Sequence, residues 1–142
     1  MAAITRGNAL VHPVTIALRA SVVGLTLATA AIHASLGGML FMANAAGYTV
    51  LAIAMVIPGP VGKWRWLIRL ALIGFTAATI GGWVAFGPRF GLAYLDKAIE
   101  VALIGVLLIE QWRSDGGPVG VYRRVRGLLR GMAGATFARN AR

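Results

Sequence analysis

The chain has 142 residues, of which 58% are hydrophobic and 13% charged, where soluble domains carry ~25% charge. It carries a formal charge of +10 and contains no cysteine. These values exclude disulfides, thiolate metal centres, iron–sulfur clusters and haem attached through Cys, and they place most of the chain in an apolar medium rather than in water.

Residues 1–13 are short, mixed in character and end in His12-Pro13, and Pro13 suits a helix start because its missing N–H is an orphan there anyway. A first apolar stretch covers about 14–36 and ends at Gly37-Gly38, a tight turn. A second covers about 39–57 and is stopped by Pro58-Gly59-Pro60. A basic inner loop at 61–65 follows, with Trp64 and Trp66 beside Lys63 and Arg65, a mixture suited to the headgroup layer. A third stretch covers about 66–86 and closes at Gly87-Pro88, and a fourth covers about 92–112. Each approaches the ~20 helical residues that cross a ~30 Å hydrocarbon core. The fold class expected is therefore an all-α integral membrane protein, a four-transmembrane-helix bundle over residues 1–113. Residues 114–142 form a basic cytoplasmic tail, set off by the break Ser114-Asp115-Gly116-Gly117-Pro118.

The basic residues fix an orientation. Arg6 and Arg19, then Lys63, Arg65 and Arg69, then seven arginines from Arg113 to Arg142 fall on one side, and only Arg89 and Lys97 on the other. The positive-inside rule then holds both termini in the cytoplasm, with Arg19 snorkelling to the headgroups. A competing reading makes Arg6 the n-region of a signal peptide and Ala28-Thr29-Ala30 its cleavage site, although Arg19 would interrupt the apolar h-region.

Two features suggest helix contacts. Ala20, Gly24 and Ala28, and likewise Gly74, Ala78 and Gly82, form small-residue ridges of the kind that pack helices closely in lipid, mostly within the bundle and otherwise as a self-association seam. In the tail, residues 119–132 form an amphipathic interfacial helix. Tyr122, Val125, Leu128, Leu129 and Met132 lie on one side, and Arg123, Arg124, Arg126 and Arg130 supply charge for anionic lipid headgroups or a protein partner. A short tail tied to a bilayer argues against nucleic acid as a partner.

Polar residues inside the spans are the main functional lead, because ionisable groups there are expensive and usually face a bundle interior or wet cavity. His33, Asn44, Tyr48, Thr76, Thr79, Trp83, Tyr94, Asp96, Lys97 and Glu100 all fall in the outer half, whereas the inner half carries few polar side chains away from its edge. At 1.5 Å per residue, His33 and Glu100 lie roughly 6 and 13 Å below their nearest turns. Glu100 requires a partner if ionised, and Lys97 or His33 can supply one. A structural polar clasp competes with a ligand site lined by His33, Asn44, Tyr48, Trp83, Asp96, Lys97 and Glu100. The ligand would be a quinone, lipid, pigment or metal. For a metal, the donors are His33, Asp96 and Glu100, or His33 with Met39 and Met42 for soft Cu(I). With His12 and His33 on opposite sides, one chain cannot ligate haem through two histidines. A haem or chlorin would rest on His33 alone or on two copies of it.

No serine sits in a nucleophile motif, and no phosphate-binding or dinucleotide glycine loop occurs, so catalysis is not the leading expectation. The run from His33 to Gly38, then Leu40-Phe41, Asn44, Gly47-Tyr48 and Asp96–Glu100 resembles short bacterial four-span proteins of unassigned activity, which implies a bacterial cytoplasmic membrane. In size and span count the chain is similar to DoxX-like membrane proteins, without a shared motif. The first functional expectation is an accessory or scaffold subunit of a larger membrane complex. The alternatives are the ligand-binding protein above, and a small transporter or proton-coupled membrane enzyme.

Overall fold

The computed structural model describes residues 13–140, with the side chains of 60, 61 and 132–140 left aside, so Arg6, His12, Arg142 and the side chains of Met132 and Arg139 lie outside the described residues. Five α-helices follow in order: α1 (Pro13–Leu36), α2 (Met39–Val56), α3 (Arg65–Phe86), α4 (Gly91–Asp115) and α5 (Gly117–Asn140), and the described residues contain no strand. The breaks are where backbone chemistry demands them. Gly37 and Gly38 take φ of 67° and 80°, and Gly116 and Gly117 take 75° and 70°, left-handed values that only glycine adopts without strain. Pro58 ends α2, and a 3-10 segment at Gly59–Trp64, rather than an open loop, leads into α3.

α1 packs on α2 and α4, and α3 packs on the same two helices, so the first four close into a ring. Val22, Tyr48, Met55, Leu72, Leu103 and Leu107 fill its centre. A side chain at Gly47 would meet the ring of Phe75 at 2.6 Å, so glycine there sets how closely α2 approaches α3. Three helices are long and apolar enough to cross a membrane, Pro13–Leu36, Met39–Val56 and Gly62–Phe86, consistent with an integral membrane protein. α4 is set apart by Asp96, Lys97, Glu100 and Glu110, all of which it buries against its neighbours.

Three expectations change. The small-residue ridges do not hold the bundle together: Ala20, Gly24, Gly74, Ala78 and Gly82 are exposed, because the bulky face of each helix is the one turned inward. Trp66 is buried rather than lying at an interface, so of this pair Trp64 alone is exposed. The polar residues that edge the spans are not all at the surface: Arg69, Glu110 and Gln111 are buried.

Candidate functional site

The cluster that the sequence reading assigns to the outer half draws on all four helices of the ring. On α1, Thr29 and His33 are one turn apart and both buried. The Thr29 hydroxyl donates to Asp96 Oδ1 at 2.6 Å, and its carbonyl accepts from His33 Nδ1 at 2.9 Å. That bond places the Nδ1 proton and leaves Nε2 without a hydrogen-bond partner among the described residues, 4.0 Å from Glu100 Oε1. From α2 and α3, Tyr48 Oη and Thr79 Oγ1 lie 2.8 and 2.9 Å from Glu100 Oε1 and 2.8 Å from each other. On α4, the i,i+3 spacing lets Lys97 Nζ reach Glu100 Oε2 at 2.5 Å, and it reaches Asp96 Oδ2 at 2.9 Å. His33, Asp96 and Glu100 are 3%, 2% and 0% exposed, so these polar groups are satisfied by one another and by their neighbours rather than by water.

A cavity of about 370 Å³ opens beside this cluster, between the same ends of the four helices. His33, Asn44, Thr79, Asp96 and Lys97 give it polar atoms, and the rest of its lining is apolar, with Phe41, Phe75, Trp83, Phe86 and Phe90 supplying aromatic rings. The structure therefore gathers the sequence candidates His33, Asn44, Trp83, Asp96 and Lys97 around one space, with Tyr48 and Glu100 in contact with its polar lining. Trp83 is held by the turn that follows it: its indole N–H donates to the Pro88 carbonyl at 2.9 Å, and the Arg89 guanidinium lies 4.2 Å over its ring. Thr29 escaped the sequence reading. Its signal was the i,i+4 pairing with His33, which was hidden by the ease with which threonine sits in a lipid-facing helix.

His33, Asp96 and Glu100 can each offer one ligand atom within 4.8 Å of the others. The Lys97 ammonium, however, already bridges both carboxylates, so the arrangement is a lysine-bridged acid pair and does not require a metal. Met39 and Met42 stand 91% and 52% exposed and outside the cavity wall, so the structure does not assemble the sulfur-rich copper set with His33. Both occupy the first turn of α2 on its outward side.

A second cluster lies toward the other end. Arg69 of α3 donates Nε to Gln111 at 2.8 Å and Nη1 to Glu110 at 3.2 Å, and pairs through Nη2 with Asp115. Arg19 Nε lies 3.8 Å from Glu110 Oε1, so Arg19 turns into this cluster instead of snorkelling outward. Arg124 Nη2 meets Asp115 Oδ1 at 2.8 Å and ties α5 to the ring, while Arg123, Arg126 and Arg130 are exposed. In sequence Arg69 counts only among the basic residues of one side and Asp115 only as part of the break after the fourth stretch, and only packing reveals that they are partners.

No family model, no curated protein and no solved structure matches the chain.

Proposed function

We propose that the chain is a four-span integral membrane protein of a bacterial cytoplasmic membrane that holds a membrane-soluble small molecule in a site at the outer leaflet. The observation that carries this reading is the convergence of His33, Asp96 and Lys97 on one largely apolar cavity of about 370 Å³. A structural clasp needs no such space beside it, whereas ligand sites are typically concave, largely apolar and supplied with a few convergent polar groups. Burial of the α4 charges supports a fourth crossing, because paired groups facing a bundle interior are the form in which charge enters a membrane. The excess of arginine and lysine on one side then supports cytoplasmic termini.

The test is to purify the protein in mild detergent, extract it for bound small molecules and record its absorption spectrum. A stoichiometric organic component is expected, and it is expected to be lost from Gly82→Phe, which fills the cavity from an open backbone position. A preparation free of any such component, and unable to take one up, would overturn the reading.

A second reading, an accessory or scaffold subunit, is favoured by one observation. The small-residue ridges and the Tyr122, Leu128 and Leu129 side of α5 are exposed, leaving surface for other subunits or for anionic lipid beside Arg123, Arg126 and Arg130. Native mass measurement separates the two readings, since a partner-free monomer that still carries a ligand leaves only the first.

A further inference from the structure

The second cluster, around Arg69, gathers more positive charge than its acidic partners can answer. Arg19 of α1, Arg69 of α3 and Arg124 of α5 meet two acidic residues of α4, Glu110 and Asp115. Arg65 stands one turn before Arg69 on the same side of α3 and feels the charges of Arg19, Arg69 and Glu110. Arginine stays cationic in proteins, so four guanidinium groups outnumber two acids whatever protonation those acids adopt. The surplus is not evenly placed. Arg69 is buried and holds three partners on α4, and Arg124 pairs with Asp115. Arg19 reaches Glu110 at 3.8 Å, and its Nε has no hydrogen-bond partner among the described residues. Arg65 reaches the Ile57 carbonyl through one long bond, at 3.4 Å. Both side chains are partly exposed, so both can be approached from outside the ring.

A buried donor stands beside them. Gln111 is 5% exposed, and its Oε1 accepts from Arg69 Nε, which orients the amide and leaves Nε2 without a partner among the described residues. Glu110 Oε2 is unpartnered in the same way. Unmet buried polar atoms are costly, so this edge of the cluster calls for a ligand that meets both kinds. Surplus guanidinium and an amide donor call for an anion with several oxygens, and the bare acceptor among them calls for a hydroxyl on the same ligand. A phosphate ester that carries a hydroxyl supplies both. Trp64 precedes Arg65 and Trp112 follows Gln111, and they are 48% and 67% exposed, the setting of indole rings in the headgroup layer. Basic sites between helices on the cytoplasmic side are where anionic headgroups seat. We propose that Arg19, Arg65 and the Gln111 amide form a site for the headgroup of an anionic glycerophospholipid, phosphatidylglycerol in type, at the edge of the cluster that Arg69 braces. The site is independent of the cavity at the other end. It also differs from adsorption along α5, because its donors belong to the helix ring and one of them is buried.

The experiment uses the full chain in a non-ionic detergent, with phosphatidylglycerol and phosphatidylcholine of matched acyl chains as probes. Native mass measurement counts the lipid retained, and thermal unfolding reads its effect. The expected result is one phosphatidylglycerol held saturably per chain, with a rise in thermal midpoint that phosphatidylcholine does not give. Arg19→Gln combined with Arg65→Gln is expected to weaken retention by about tenfold or more, because each arginine beside an anionic lipid contributes separately. Arg123→Gln combined with Arg126→Gln and Arg130→Gln is expected to leave the single tight lipid in place. Circular dichroism checks that both variants remain folded, and the preference between the two lipids is read on the unaltered protein. Equal retention of the two lipids, or loss of phosphatidylglycerol in the α5 variant alone, overturns the site. If free glycerol phosphate raises the midpoint and phosphatidylglycerol does not, the lipid is overturned and a site for a soluble phosphate ester takes its place. If neither raises it, the site is overturned altogether.

Discussion

The two polar clusters use the same kinds of side chain at opposite ends of one ring of helices, yet their surroundings differ. Around Glu100, two hydroxyls and an ammonium satisfy the carboxylate, and a cavity lies alongside. Around Arg69, a guanidinium is spent on three partners from α4, while Glu110 Oε2, Gln111 Nε2 and Arg19 Nε have no hydrogen-bond partner among the described residues. One cluster is thus well satisfied next to an opening, and the other is a dense cross-brace among α1, α3, α4 and the start of α5. The lesson is that buried charge alone does not mark a site. What distinguishes the outer cluster is the cavity that opens beside it.

Substitutions can break this contrast, and the largest effect is expected at the brace. Arg69→Ala strands Glu110 and Asp115 without their main counter-charge, and is expected to cost about 3–5 kcal/mol, read as a large fall in thermal midpoint in detergent. If the midpoint barely moves, the inner cluster is not structural. Glu100→Gln keeps an acceptor for Tyr48 and Thr79 and leaves Lys97 paired with Asp96, so a smaller loss of ~1.5–3 kcal/mol is expected by the same measurement. Tyr48→Phe removes one hydroxyl while Thr79 still donates to Glu100, and is expected to cost only about 0.5–1.5 kcal/mol. Arg124→Ala is expected to be the mildest, under about 1 kcal/mol and further reduced by salt, because its side chain is 47% exposed. A salt titration of its unfolding checks that point. An inverted order, with Tyr48→Phe worse than Arg69→Ala, would make the outer cluster the scaffold and the inner one the candidate site.

Much of the outer cluster was legible in the chain because Lys97 and Glu100 interrupt an apolar run, where a charge has no routine explanation. His33, Asn44, Tyr48 and Trp83 were legible for the same reason, and all four end beside one space or touch its polar lining. The inner cluster was not legible. Arg69, Glu110 and Asp115 lie near the ends of apolar runs, where long charged side chains ordinarily reach to headgroups, so their burial had no local signal. The small-residue ridges misled in the opposite direction. Their spacing is right for close packing, but spacing does not say which face of a helix turns inward, and here Val22, Leu72 and Leu103 claim that face.

The sequence by itself determined the helices, their ends and the apolar character of their surroundings, since these follow from runs of hydrophobic residues and from glycine and proline acting on their own backbone. It also determined that Lys97 and Glu100 of α4 needed partners. Only the tertiary structure decided who those partners are. Thr29 and Asp96 are 67 positions apart, Tyr48 and Glu100 are 52 apart, and Arg69 and Glu110 are 41 apart. Such pairings depend on the rotation of each helix about its axis, which is set by packing against all its neighbours at once.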